Sequence, residues 1–470
     1  MTAARPRWTL AIVSIALFMS TLDNLVVTTA LPSIRVSLGA TIQSLEWTVN
    51  AYTLSFAVLL LTGAALGDRF GRKRMFLVGL GLFTLASAGA ALAPSTGALI
   101  AARAAQGAGA AMLLPLTLTL LSEAFPADRR GIALGIWSGI SGLGVALGPV
   151  IGGAVVDGIS WHWIFWLNVP VGLALAPAAI ARLTESHGPA GRLDLPGLGL
   201  ASAGLLGIVF GLVRADALGW ASATVLAAIG TGAVLMLAFV VWELRTASPM
   251  LPMRFFRSRA FSATNGVSLA MYFGIFGAIF LLAQFFQTAQ GYTPLQAGLR
   301  TLPWTAMPIF VAPIAGLLSD RIGSRPLMAL GLTLQATALV WFASILQPTL
   351  PYGRLVVPFM LAGAGMALVF APAANSVLGA VRPSEAGQAS GATNAIRELG
   401  GVLGVAVLAS VFSGSGSYAS PHAFSAGVVP AMWVGAGVLA AGALSALFVP
   451  GRVRRPTDMP VALGDVPATA

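Results

Sequence analysis

Gly67-Asp68-Arg69-Phe70-Gly71-Arg72-Lys73 and Ser319-Asp320-Arg321-Ile322-Gly323-Ser324-Arg325 are two copies of one short basic signature, with Asp68 and Asp320 252 residues apart. Each copy sits in a tight connection between two long apolar stretches. A charged turn repeated between hydrophobic helices indicates a duplicated membrane bundle whose equivalent loops face the same side of the bilayer. Internal repeats of this kind are typical of secondary transporters, which handle substrate near the midplane between the halves.

The rest of the composition agrees. Of 470 residues, 57% are hydrophobic and 9% charged, against about a quarter charged in soluble proteins. Apolar runs of about 20 residues read as spans. Fourteen are predicted, at 9–31, 47–66, 75–93, 97–122, 131–155, 163–182, 195–213, 220–242, 261–286, 295–318, 327–346, 352–379, 387–412 and 430–449. The expected fold is therefore an all-α polytopic membrane protein: two six-helix pseudo-repeat bundles, 1–185 and 246–450, flank a linker, 186–245, with two additional helices. The tail, 451–470, is expected to be disordered. Nothing inside the two additional spans is ionisable, so they read as peripheral helices without a transport residue.

The net charge of +11 does not indicate nucleic acid. With the N-terminus inside, 20 of the 26 basic residues fall on cytoplasmic loops or tails, the positive-inside bias that orients a membrane protein. Both termini are then cytoplasmic, in a multi-pass protein of the cell membrane, expected to function as a monomer. The absence of Cys removes disulfide and thiolate chemistry. His162, His187 and His422 are scattered over loops, so no metal site is expected. There is no Ser/His/Asp set and no Gly-Lys-Ser/Thr phosphate loop, which argues against an enzyme or an ATP-driven pump. No cofactor is expected beyond a proton as coupling ion. Trp161, Trp163 and Trp166 read as an interfacial aromatic belt.

Once loops and helix ends are excluded, only Asp23, Arg103, Arg397 and Glu398 remain as charges inside the predicted spans. Each costs about 2.5–3.5 kcal/mol or more there and is functional by default. On a rise of about 1.5 Å per residue, Asp23 lies roughly 9–12 Å and Arg103 about 9 Å below the outer boundary. They share the outer half of the N-terminal bundle; whether they touch is not readable from sequence. Asp23 is the first candidate for the proton-binding group, since burial and a nearby cation act oppositely on a carboxyl and can balance it for proton exchange. The competing reading is a structural Asp–Arg pair fixing two helices.

At an offset of 256 further pieces of the halves align: Gly107 and Gly109 with Gly363 and Gly365, Gly144 and Gly148 with Gly400 and Gly404. Four motifs, Leu22 to Pro32, Leu66 to Lys73, Arg103 to Ala111 and Gly144 to Gly153, occur in order over nearly the whole chain. Together they resemble the major facilitator superfamily, specifically its fourteen-span drug:proton antiporters. The resemblance implies that Asp68, Arg69, Arg72 and Lys73, with Asp320, Arg321 and Arg325, form a conformational latch between helix ends. It implies antiport from Gly144, Gly148, Pro149, Gly152 and Gly153, and proton-linked partnership with the acid from Arg103 and Gln106. Glu398 departs from the family, which often carries Gln there; a second proton site, a contact for cationic cargo and a neutralised acid stay open.

The substrate cavity is expected to be apolar and aromatic with few polar groups. Candidate lining residues are Asn24, Trp47, Asn50, Tyr52, Gln106, Gln284, Gln287, Asn375, Asn394 and Arg397. The leading function is proton-coupled export of drug-like, antibiotic or amphipathic, including cationic, compounds by alternating access. The alternative is export of one endogenous metabolite or amino acid.

Overall fold

A computed structural model describes residues 6–187, 194–381 and 386–451. The tail beyond 451 lies outside them, as do the side chain of Asp320 and several side chains in the first half of the fifth helix. The described chain is helical, with no strand among the described residues.

The first bundle comprises α1 (Pro6–Leu38), α2 (Ile42–Phe70), α3 (Arg72–Ala91), α4 (Thr96–Ala124), α5 (Ala127–Gly158), the one-turn α6 (Trp163–Trp166) and α7 (Asn168–Arg182). A hairpin follows, α8 (Leu195–Leu218) and α9 (Ala223–Arg245). The second bundle comprises α10 (Arg259–Gln284), α11 (Pro294–Thr305), α12 (Met307–Ile322), α13 (Ser324–Ile345), α14 (Gly353–Gly379), α15 (Ala386–Ser415) and α16 (Pro421–Ala446). A 3-10 turn (Met253–Arg257) precedes α10 and a π turn (Phe285–Ala289) ends it.

Among the described residues twelve helices are long and apolar enough to cross a membrane, or thirteen with α2, which bends by 50° between Leu60 and Thr62. This corrects the expected fourteen. The shortfall lies in α5, whose described apolar stretch, Gly142–Gly158, is too short on its own. Apolar residues run around many of these helices instead of along one stripe, as lipid on one side and helix on the other require.

The sequence repeat is a packing repeat. A side chain at Gly107 of α4 would lie 2.2 Å from the Tyr52 carbonyl of α2, and one at Gly363 of α14 would lie 2.2 Å from the Trp304 carbonyl of α11. Equivalent glycines thus admit equivalent backbones in both bundles, the close approach that small residues permit between membrane helices.

Of the two additional helices α9 is mostly exposed, as expected of a peripheral helix, but α8 is not peripheral. Val209 and Val213 of α8 are buried with Leu54 and Val58 of α2 and with Val402 and Ala406 of α15. This helix therefore bridges the two bundles, a role that a uniformly apolar span does not reveal.

Candidate functional site

Asp23 and Arg103 touch. Arg103 Nη1 donates to Asp23 Oδ2 at 2.6 Å, and both residues are 1% exposed. The other carboxylate oxygen, Oδ1, accepts from Gln106 Nε2 at 2.8 Å and from Asn168 Nδ2 at 2.7 Å. Gln106 Oε1 in turn accepts from Arg103 Nη1 at 2.7 Å, the Thr48 carbonyl accepts from Arg103 Nε at 3.2 Å, and Ser87 Oγ accepts from Gln106 at 2.8 Å. The guanidinium also lies 4.2 Å from the centre of the Tyr52 ring. Charge, hydrogen bonds and a ring face thus meet on five helices, α1, α2, α3, α4 and α7, deep in the first bundle. Low surrounding polarity makes such a network strong when complete and costly when broken.

Sequence reasoning missed Asn168, Ser87 and Thr48. Asn168 carries a signal in the sequence, as the one carboxamide in the 163–182 run. Trp161 corrects the expected interfacial belt: it is 4% exposed, stacked at 3.8 Å on His162, and belongs to the buried core.

Between the bundles lies a cavity of about 1810 Å³. At its mouth are Asp68 and Arg72, with Asp194 and Glu243 of the hairpin; at its far end are Asn24, Tyr52, Trp304, Arg397 and Glu398. Beyond that end the bundles close on each other. Gln287 Nε2 donates to the Thr29 carbonyl at 2.8 Å, and the Arg35 guanidinium sits 3.8 Å from the centre of the Tyr418 ring. One buried apolar cluster runs through both bundles there, from Val26, Ala30 and Ile34 of α1 to Ala278 and Leu281 of α10. The cavity therefore opens on the face carrying the α2–α3 turn and is shut on the opposite face. Asp23 is not part of its lining.

Five of the ten proposed lining residues face the cavity: Asn24, Tyr52, Asn375, Asn394 and Arg397. The other five do not. Trp47 packs with the α2–α8–α15 cluster, Asn50 is fully buried, Gln106 belongs to the Asp23 network, and Gln284 accepts from the Tyr418 hydroxyl. Gln287 lies in the closed seam. Helical phase, unreadable for a lone polar residue in an apolar run, separates the two groups.

Arg397 is 8% exposed, donates to Asn394 Oδ1 at 3.4 Å and sits 5.2 Å from the Phe370 ring centre. Its Nε and Nη2, and Glu398 Oε2, are buried without a hydrogen-bond partner. These neighbours in the cavity wall thus have unused bonding capacity, unlike Asp23 and Arg103, whose pairing is complete.

At the turn motif Arg72 bridges Asp68 at 2.7 Å and also pairs with Glu123. Arg69 stacks on Phe70, 5.3 Å from its ring centre. The anion at the α3 N-terminus is Glu185, not Asp68: its oxygens accept from the Lys73 and Arg74 amides at 2.9 and 3.1 Å, where the helix dipole favours negative charge. Lys73 Nζ reaches the Ile180 carbonyl at 2.6 Å. In the second copy Arg321 and Arg325 are exposed, and the Asp320 side chain lies outside the described residues.

The Gly144 to Gly153 run forms the seam between α1 and the second bundle. Gly144, Gly148 and Gly152 face α1, and a side chain at Gly152 would meet Thr29 Oγ1 at 2.5 Å. One at Gly153 would lie 2.3 Å from the Pro294 carbonyl of α11, while Gly298 of α11 abuts the Pro149 carbonyl.

A profile of the Major Facilitator Superfamily matches residues 13–405 and 264–463. The chain is 39% identical over 411 residues to a cephamycin export protein of Amycolatopsis lactamdurans, covering 86% of this chain and 84% of that one. It is 34% identical over 406 residues to the tetracenomycin C resistance and export protein of Streptomyces glaucescens, covering 86% and 75%. It is 36% identical over 407 residues to the multidrug resistance protein Stp of Mycobacterium tuberculosis, covering 86% and 75%. An auto-inhibited peptide transporter of the POT family superposes with a TM-score of 0.69 at 18% identity, over 96% of this chain and 97% of that one, a likeness of fold.

Proposed function

This chain belongs to the major facilitator superfamily, and we propose that it exports drug-like, antibiotic or amphipathic compounds in exchange for protons. The observation that carries the reading is the cavity, which is large, walled by aromatic and apolar side chains, open on one face and shut on the other. Its 1810 Å³ exceeds the few hundred to about 1,000 Å³ of a site for one drug-sized ligand. Room for varied cargo and water fits a broad exporter. Relatives named for antibiotic export and multidrug resistance support the same cargo class.

In this reading the α2–α3 turn and both termini are cytoplasmic, the open cavity faces the cell interior, and Asp68, paired within its own bundle, marks a released latch. Residues 1–185 and 246–450 move as two units. Assignment to the drug:proton antiporter subfamily rests on the four sequence motifs, while twelve to thirteen helices among the described residues are long and apolar enough to span. Asp23 carries the coupling proton, and Arg103 with Gln106 and Asn168 holds its charged form when the outer face is shut. Glu398, in the cavity wall, meets cargo. No cofactor beyond the proton is required, and one chain suffices.

Reconstitution with an imposed pH gradient and a fluorescent lipophilic cargo tests this. Gradient-driven export that disappears in Asp23→Asn is expected; export indifferent to the gradient removes the coupling. A second reading, one dedicated cargo, draws on relatives named for single antibiotics. A resistance panel in a pump-deficient strain separates them, since protection against a single compound favours the dedicated exporter.

A further inference from the structure

Two carboxyl groups face each other where the α8–α9 hairpin meets the cavity mouth. Asp194 precedes α8, and its Oδ1 caps that helix by accepting from the Gly197 amide at 2.8 Å. The same oxygen accepts from Trp242 Nε1 at 2.7 Å. Glu243, in the last turn of α9, is 3% exposed, and its Oε2 accepts from the Leu251 amide at 3.0 Å. One oxygen of each group is left over. Asp194 Oδ2 and Glu243 Oε1 are both buried and have no hydrogen-bond partner.

These two orphan oxygens converge. A methyl group built on Gly197 would lie 2.5 Å from Asp194 Oδ2 and 2.9 Å from Glu243 Oε1, so both point at the same spot and leave no room there for even a methyl. Arg254 and Arg257 of the 3-10 turn packed on α9 line the same cavity, with Asp68 and Arg72 across the mouth and Arg397 and Glu398 of α15 deeper in. Arg245 follows two residues after Glu243 on α9. No guanidinium among the described residues bonds either orphan oxygen. Two carboxylates so placed cannot both be ionised without strong repulsion. One proton between them converts that repulsion into a short charge-assisted hydrogen bond, and the pair then titrates as a unit.

We propose that Asp194 and Glu243 form a second proton-binding site, holding one proton between Oδ2 and Oε1 at the cavity mouth. The ligand is assigned as a proton because two converging buried carboxyl oxygens share one proton in preference to both ionising. While it is held, Glu243 keeps the linker at Leu251 fastened to the hairpin, and that linker leads into α10 and the second bundle. Release to water in the cavity leaves two adjacent anions, whose repulsion draws Glu243 away from the Leu251 amide. The site goes beyond coupling at Asp23 and does not depend on it.

The full-length protein in lipid nanodiscs, titrated from about pH 5 to about pH 9, tests this above the range where isolated carboxyls ionise. The readouts are the infrared band of protonated carboxyl groups and the part of the fluorescence that Trp242→Phe removes, since that indole bonds Asp194. The expected result is loss of one protonated carboxyl on alkalinisation, accompanied by a change in Trp242 emission. That loss should be absent from both Asp194→Asn and Glu243→Gln and retained in Asp23→Asn. Asparagine still caps α8, so the hairpin is preserved. A band unchanged in either Asp194→Asn or Glu243→Gln overturns the shared site, as does a wild type with no such loss. The readout requires no transport, so absence of export leaves it decisive, and its failure leaves export through Asp23 standing.

Discussion

Arg103 Nη1 stands 2.6 Å from Asp23 Oδ2, an ion pair between α4 and α1 from which solvent is excluded. Removing one member of such a pair leaves a buried charge uncompensated, at a cost of about 3–5 kcal/mol. Arg103→Met should therefore lower thermal stability in detergent by about that much. Asp23→Asn with Arg103→Gln should cost less than the sum of the single changes. Strict additivity in that double-mutant cycle would deny the pairing.

Asn168 gives a test that no charge argument would suggest. Its Nδ2 donates to Asp23 Oδ1 at 2.7 Å. Asn168→Leu keeps the apolar bulk and withdraws one donor from a buried carboxylate, which should cost about 1–3 kcal/mol. Gradient-driven export should fall with it. Wild-type stability and export in this variant would place Asn168 outside the network.

The shut face depends on Gly153, where any side chain would collide with the Pro294 carbonyl 2.3 Å away. Gly153→Val should part α5 from α11 and expose the seam. Because the chain has no cysteine, the single substitution Gln287→Cys can report this directly with an impermeant maleimide. Labelling should be faster when Gly153→Val is also present than in its absence; equal rates would show that the seam tolerates the side chain.

A second contact on that face is the Arg35 guanidinium over the Tyr418 ring at 3.8 Å. Cation–π contacts contribute about 0.5–2 kcal/mol. If the contact exists only when the face is shut, Tyr418→Ala should reduce the shut-to-open ratio by about 2- to 30-fold. Single-molecule distance measurements across the seam would reveal the shift, and an unchanged distribution would remove the contact from the gate.

His162, outside the spans, provides a pH dependence of stability. Burial lowers its affinity for a proton below the ordinary imidazole value. The unfolded chain then binds protons more readily than the folded one. The His162 contribution is complete above the unfolded pKa, about 6.5, and is lost as pH falls through the lowered folded value. Melting curves should show a small acid slope that His162→Gln flattens.

Hydropathy and the repeated Asp-Arg turn made the helical, duplicated, membrane-spanning fold legible because lipid imposes its requirement on every residue of a span. Asp23 and Arg103 stood out for the same reason, as rare charges in apolar runs. Glu185, Asn168 and Glu243 did not. Their roles depend on partners 112, 145 and 8 residues away respectively, brought together by helix packing. Trp47 and Asn50 show the same limit, since a polar or aromatic residue in an all-apolar helix leaves no stripe from which to read its direction.

The sequence by itself determined the membrane environment, the duplication, and which charges and glycines had to be accommodated. These follow from transfer energies and backbone sterics, which act residue by residue. Only the tertiary structure decided that Asp23 and Arg103 pair, that the cavity opens on the side of the α2–α3 turn, and that α8 bridges the bundles. Helix rotation and neighbour choice settle those points, and both are cooperative properties of the packed bundle that no single helix encodes.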